Sequence, residues 1–158
     1  MVFKFDLKRF LISIAIPLLV GGLSAVITSG NMNIYSSIVR PPLSPPSWIF
    51  PVVWSVLYVL MGVSLYLVWN TASRDNIKRR AFILFGIQLA LNFIWSPIFF
   101  NQQQFLLAFV VLIILLLFTV LMILSFYKTS KKAALLQLPY LLWLTFAAYL
   151  NFAIYLLN

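Results

Sequence analysis

Gln88, Asn92, Trp95 and Phe99 recur at i, i+4, i+7 and i+11 within one apolar stretch, which puts them on one face of a helix. Tyr140, Trp143, Ala147 and Asn151 repeat nearly the same spacing, and Trp54, Tyr58, Met61 and Leu65 form a third such stripe. The chemistry open to these residues is recognition. An aromatic ring stacks on a flat apolar face, and an amide hydrogen-bonds a polar edge. The plainer alternative is packing. Trp and Tyr populate interfacial belts, which is how Trp48 and Trp69 read, and an amide in an apolar span bonds to protein. Asn92 and Asn151 fit that alternative. Trp54, Trp95 and Trp143 fit it less well, because tight helix contacts in lipid use small residues. Large rings on facing helices leave a volume that a flat apolar ligand fills.

Other chemistry is excluded by what is missing. The chain has no His and no Cys, and its only acids are Asp6 and Asp75. The usual zinc, iron–sulfur and thiol-nucleophile sites lack their ligands, and the usual haem axial ligands are absent. Paired-carboxylate catalysis needs two neighbouring acids, whereas these two sit in separate polar flanks. No metal site and no required cofactor are expected. The net charge of +9 comes from cations scattered between apolar stretches, a pattern of membrane topology rather than of nucleic-acid binding.

The elements that must position the three stripes follow from composition. Of 158 residues, 64% are hydrophobic and 8% charged, which no soluble fold of this size can bury. Five apolar segments reach the length that a bilayer requires: 8–28, 47–69, 80–100, 105–127 and 133–156. The expected fold is a single all-α integral membrane domain, 1–158, with five transmembrane helices. The first segment has the basic start of a signal peptide, but its apolar run continues for a full span. Lys4, Lys8, Arg9, Arg74, Lys78, Arg79, Arg80, Lys128, Lys131 and Lys132 fall on one side, and only Arg40 on the other. The positive-inside rule therefore places the N-terminus in the cytoplasm and Asn158 outside. In the third segment, Trp95 lies about 7–10 Å in from the outer end, as Trp54 does in the second.

Short connections predict antiparallel neighbours after segments two, three and four. The first loop is long and carries Pro41-Pro42-Leu43-Ser44-Pro45-Pro46, which predicts a lid stiffened toward polyproline II. Pro17, Pro51, Pro97 and Pro139 are expected to permit kinks in four spans. The fourth segment, almost purely aliphatic, is expected to face lipid. Gly21 with Ala25 and Gly86 with Ala90 form small-xxx-small pairs that suit a neighbouring helix or a second subunit.

Three stretches of this chain resemble the TspO/MBR family, the tryptophan-rich sensory and translocator proteins. They are Pro41 to Trp54 with Leu57-Tyr58 and Met61-Gly62; Gln88 to Phe100; and Pro139-Tyr140 with Trp143, Phe146-Ala147 and Leu150-Asn151. The resemblance covers nearly the whole chain. It implies a five-helix bundle, usually a homodimer, in a bacterial cell membrane; the small-xxx-small pair Gly86 and Ala90 is the expected contact. It also implies a pocket for protoporphyrin IX and other flat hydrophobic ligands in the outer half, under the first loop. The implied pocket residues are Trp48, Phe50, Trp54, Tyr58, Gln88, Asn92, Trp95, Tyr140, Trp143, Ala147, Leu150 and Asn151. Some members degrade protoporphyrin IX in light, and the tryptophans that match are Trp54 and Trp143. The chain departs from the family at Ile34-Tyr35, where Trp-Tyr is common; at Pro51, which stands alone; and at Val110 to Leu112, where many members carry an acid. Arg40, the lone outer cation, either pairs with a propionate or sits among headgroups.

The leading expectation is a tetrapyrrole-binding receptor or sensor. The alternatives are a light- and oxygen-dependent porphyrin degrader, a porphyrin or sterol transporter without intramembrane charge to couple it, and a purely structural bundle.

Overall fold

The computed structural model describes residues 5–71 and 73–158; Lys4 lies outside the described residues. All regular structure among them is helical. The long helices are α1 (Leu7–Thr28), α3 (Ile49–Asn70), α4 (Asp75–Phe100), α5 (Phe105–Thr129) and α7 (Leu138–Leu157), with short helices α2 (Ile34–Ser37) and α6 (Lys131–Leu135). Five helical stretches are long and apolar enough to cross a membrane. The chain is therefore an integral membrane protein of five spans.

Local sequence sets the helix ends. Asp6 caps α1, its carboxylate accepting from Arg9 N at 3.0 Å, which satisfies one of the free first-turn donors. Ser130 does the same for α6, accepting from Ala133 N at 3.3 Å. The third span begins at Asp75, not at residue 80. Lys78, Arg79 and Arg80 are thus helical residues, because Arg74 O takes over the first-turn bonds from Ile77 N and Lys78 N. The fifth span is interrupted between α6 and α7 at Leu136 and Gln137.

Two of the four expected proline kinks have no cause. Pro51 and Pro139 lie in the first turns of α3 and α7, where the missing N–H would be unpaired anyway. Pro17 and Pro97 are inside their helices.

The neighbour order also departs from chain order. α1 packs along α3 and α4, α5 packs between α4 and α7, and α6 leans on α3. Helices α3 and α4, although joined by a short loop, barely touch, because α1 lies between them. The reason is close approach. A Cβ on Gly62 would lie 2.6 Å from Ile14 Cα, and one on Gly21 would overlap the Tyr58 ring. The Gly21–Ala25 pair thus serves the α1–α3 contact, while Gly86 has nothing within 4 Å of a Cβ.

The expectation that the fourth span faces lipid holds for one face only. Ala108, Leu112, Leu115, Thr119, Met122, Ser125 and Phe126 of α5 are buried. The peripheral helix is α1, where the buried residues are Ser13, Pro17, Ser24 and Thr28 and the large side chains point out. Small residues inside and bulky ones toward lipid are what close packing in a bilayer favours.

Candidate ligand site beneath the first loop

The first loop folds into a defined cover. After the 3-10 turn Ser29–Asn31, α2 buries Tyr35, whose hydroxyl donates to Pro45 O at 3.1 Å. The proline run does not continue as polyproline II. It turns at Pro41–Ser44, with Ser44 N donating to Pro41 O and Leu43 at φ 69°, a backbone region that a non-glycine residue adopts at a cost. Three contacts pin the cover. Tyr149 Oη donates to Pro42 O at 3.0 Å, Val39 N donates to Asn158 Oδ1 at 2.9 Å, and Asn158 Nδ2 donates to Val39 O at 3.1 Å. The C-terminus therefore sits at the lid end.

Below the lid, the three stripes meet. Tyr58 Oη donates to Asn92 Oδ1 at 2.8 Å, Asn92 Nδ2 donates to Tyr140 Oη at 3.1 Å, and Tyr140 Oη donates to Gln88 Oε1 at 2.9 Å. This buried chain ties α3, α4 and α7 together. A second link runs from Trp95 Nε1 to Asn151 Oδ1 at 3.0 Å, and from Asn151 Nδ2 to Phe105 O at 2.8 Å. The amides of Asn92 and Asn151 are thus engaged within the protein, as the packing alternative requires. Gln88 Nε2 is buried without a hydrogen-bond partner in the protein.

The rings above this polar layer leave two cavities and a groove. A cavity of about 110 Å³ between α1, α3 and α4 is lined by Gly21, Ser24, Thr28, Trp54, Tyr58 and Trp95, among others. A second, of about 30 Å³, lies between the lid, α4 and α7, against Tyr35, Phe99, Ala147, Leu150 and Asn151. Phe50 and Trp95 line both and form the partition between them. An apolar groove of about 490 Å³ runs along α3 and α7, past Val53, Pro139, Trp143 and Phe146.

Trp54 and Trp143 do not share a cavity. Trp54 stacks on Tyr58 at 5.5 Å in the first cavity, and Trp143 belongs to the groove. Phe50 connects the two regions, with its ring 5.9 Å from Trp143 and 5.0 Å from Tyr35. Trp48 is 66% exposed and lines neither cavity nor the groove, as a belt residue would. The Arg40 guanidinium lies 5.6 Å from the Tyr35 ring centroid.

Several contributors escaped the sequence reading. Ser24 and Thr28 of α1 line the larger cavity, and their signal was available. Ser13, Pro17, Gly21, Ser24 and Thr28 recur on one face of an otherwise bulky helix. Tyr35 stands out in the sequence only beside Ile34, where the chain departs from the family's Trp-Tyr. Its burial depends on where the lid folds.

The TspO/MBR family profile matches residues 13–157. The chain belongs to the TspO/MBR family. It is 40% identical over 124 residues to tryptophan-rich protein TspO of Chlorobaculum tepidum, covering 78% of each chain. It is 38% identical over 154 residues to tryptophan-rich protein TspO of Archaeoglobus fulgidus, covering 97% of this chain and 99% of that one. It is 35% identical over 141 residues to translocator protein of Bos taurus, covering 87% and 82%. In this TspO/MBR protein no group of three or more His, Cys, Asp or Glu side chains that could hold a metal occurs among the described residues.

Proposed function

We propose that this protein is a membrane receptor or sensor that binds protoporphyrin IX and other flat hydrophobic ligands beneath the lid. The observation that carries this reading is the partition. Phe50 and Trp95 separate two cavities whose remaining walls are Trp54, Tyr58, Ala147, Leu150 and Asn151. Each cavity alone is far below the ~300–1,000 Å³ of a typical ligand pocket, so a porphyrin enters only when these two rings move apart. Trp54 then offers a stacking face and Arg40, beside Tyr35 in the lid, a cation for a propionate; Gln88 is buried and lines neither cavity. No metal or further cofactor takes part.

In this proposal the basic end faces the cytoplasm and the lid faces outward, in a bacterial cell membrane. A homodimer contact through Gly86 and Ala90 belongs to the same reading. Both residues are exposed, and a Cβ on Gly86 meets nothing.

The test is a dark titration of the solubilised protein with protoporphyrin IX, followed by tryptophan fluorescence. Saturable quenching that weakens in Trp54→Phe/Trp143→Phe is the expected result. Identical curves in both proteins would remove the site. The runner-up is a porphyrin degrader using Trp54 and Trp143 as partners of the excited ring. Illumination separates the two, since a receptor returns porphyrin unchanged and a degrader produces a new absorption band. Transport of porphyrin or sterol would show as flux across a sealed vesicle.

A further inference from the structure

We propose that the groove between the first turns of α4 and the last turns of α5 binds the headgroup of an anionic phospholipid, its phosphate held between Arg80 and Lys128. The groove measures about 470 Å³ and is lined by Asn76, Ile77, Arg80, Leu121, Leu124 and Lys128, with Ser125 and Tyr127 at its edges. It lies at the end of the bundle opposite the lid and is separate from the candidate porphyrin site.

Three observations favour this occupant. The first is charge. The chain has two acids, and neither lines this groove. Asp6 is paired with Arg9 at 3.2 Å, and Asp75 lines the adjoining groove among Arg9, Lys78 and Arg79. Arg80 and Lys128 therefore line one groove, from α4 and α5, whose lining carries no carboxylate, so the compensating anion comes from outside. Lys131, the next cation along the chain after Lys128, is held 5.5 Å from the Tyr127 ring centroid.

The second is layering. Lys128, Leu124 and Leu121 descend α5 on one face, one turn or less apart, so the cation is uppermost and the apolar side chains lie deeper. On α4, which runs the other way, Asn76 and Ile77 lie in the first turn and Arg80 one turn deeper, so the apolar floor is supplied by α5. A free phosphate has no use for the apolar floor, whereas an acyl chain lies along it. The third is depth. The groove is formed where two antiparallel spans leave the apolar layer, the level at which basic pockets between transmembrane helices meet lipid headgroups. Leu124 and Tyr127, both more than half exposed, are placed to border the same lipid.

Native mass spectrometry of the full chain, titrated with phosphatidylglycerol or phosphatidylcholine of identical acyl chains, tests the proposal. The expected result is about a thirtyfold preference for phosphatidylglycerol, the size expected of two cations at a membrane surface. That preference falls to near parity in Arg80→Gln/Lys128→Gln and survives in Lys131→Gln/Lys132→Gln, which removes the same charge nearby. Equal binding of the two lipids, or equal loss in the two variants, would overturn it. Glycerol phosphate is expected not to displace phosphatidylglycerol at equal concentration. Displacement would make the occupant a free anion and reject the lipid. Should the first variant lose helicity, wild-type acetylation reads the same contact. Phosphatidylglycerol is expected to shield Lys128 but not Lys132, and unshielded Lys128 rejects the site.

Discussion

The end of the bundle near the α3–α4 loop and the end beneath the lid are built from different side chains and are packed to different standards. At the basic end, Met61, Val68, Ala81, Met122, Phe126 and Ala133 are wholly inaccessible. Gly62 lets α1 approach α3 backbone to backbone, and Ser64 Oγ donates to Ala133 O at 2.7 Å, fastening α6 to α3. At the lid end, the first two turns of α3, Ile49–Val56, contain no buried residue. Its place is taken by half-buried rings, Phe50, Trp54, Trp95 and Trp143, with gaps between them. The Tyr58–Asn92–Tyr140–Gln88 chain lies at the boundary. At the basic end the rings of Phe85 and Phe126 stack on each other and are buried, whereas the four rings under the lid leave gaps between them. Both ends hold the helices together, the lid end through Tyr35, Ile98, Phe99, Ala108 and Ile154, but only the lid end leaves gaps between its rings.

Substitutions at equivalent depth in the two ends should separate these roles. The largest effect is expected for Phe126→Ala, which empties a fully buried ring site. Truncations of this kind cost about 3–5 kcal/mol. It should lower thermal stability in detergent strongly. Phe50→Ala removes the same ring from the lid end, where it is half-buried. It should cost much less stability and change the porphyrin titration by joining the two cavities. Equal stability losses would abolish the distinction between the ends.

Gly62→Ala comes next. Its new methyl meets Ile14 backbone and Ser13 O, atoms that cannot swing aside, and overpacking costs about 1–3 kcal/mol. Gly21→Ala meets only the Tyr58 ring, which borders a cavity, so it should be milder and should register in ligand binding. A calorimetric or fluorescence melt of both variants ranks them, and the reverse order would contradict the packing described above.

Asn92→Leu tests the boundary. It removes an acceptor from Tyr58 and a donor to Tyr140 at once. Leaving buried polar groups unpaired costs about 1–3 kcal/mol, although polar contacts between membrane helices average nearer ~0.6 kcal/mol. A loss of about 1 kcal/mol is expected, with Tyr58→Phe smaller. The smallest effect is expected for Tyr149→Phe, which frees the lid at Pro42. Global stability should hardly move, while faster protease cleavage in the 38–48 segment should report the loosened cover. Unchanged cleavage would mean that Tyr35 and Asn158 hold it without Tyr149.

Much of this was legible in residues whose neighbours along the helix are their partners. The five spans follow from apolar length, and the stripes from a 3.6-residue period. The choice of α3, α4 and α7 as the ring-bearing helices follows from those stripes. What went astray depended on partners distant in sequence. The fourth span reads as lipid-facing because aliphatic residues suit both lipid and a helix neighbour. Its burial is decided by α4 and α7. Pro51 and Pro139 read as kinks only if the helices begin earlier than they do.

The sequence by itself determined that this chain crosses a membrane five times, that its cations gather at one end, and that its aromatic residues fall on particular helix faces. Each is set by local composition and helical periodicity, and the family pattern is written in the same residues. Only the tertiary structure decided that α1 stands between α3 and α4, and that the buried amides bond to tyrosines and a tryptophan. It alone separated Trp54 from Trp143 and made Phe50 and Trp95 a wall between two cavities. Those facts arise from how closely two backbones approach at Gly62, from the Tyr58 ring seated on Gly21, and from which rings then meet. Periodicity within a single helix says which face a side chain is on, but not which other helix that face will find.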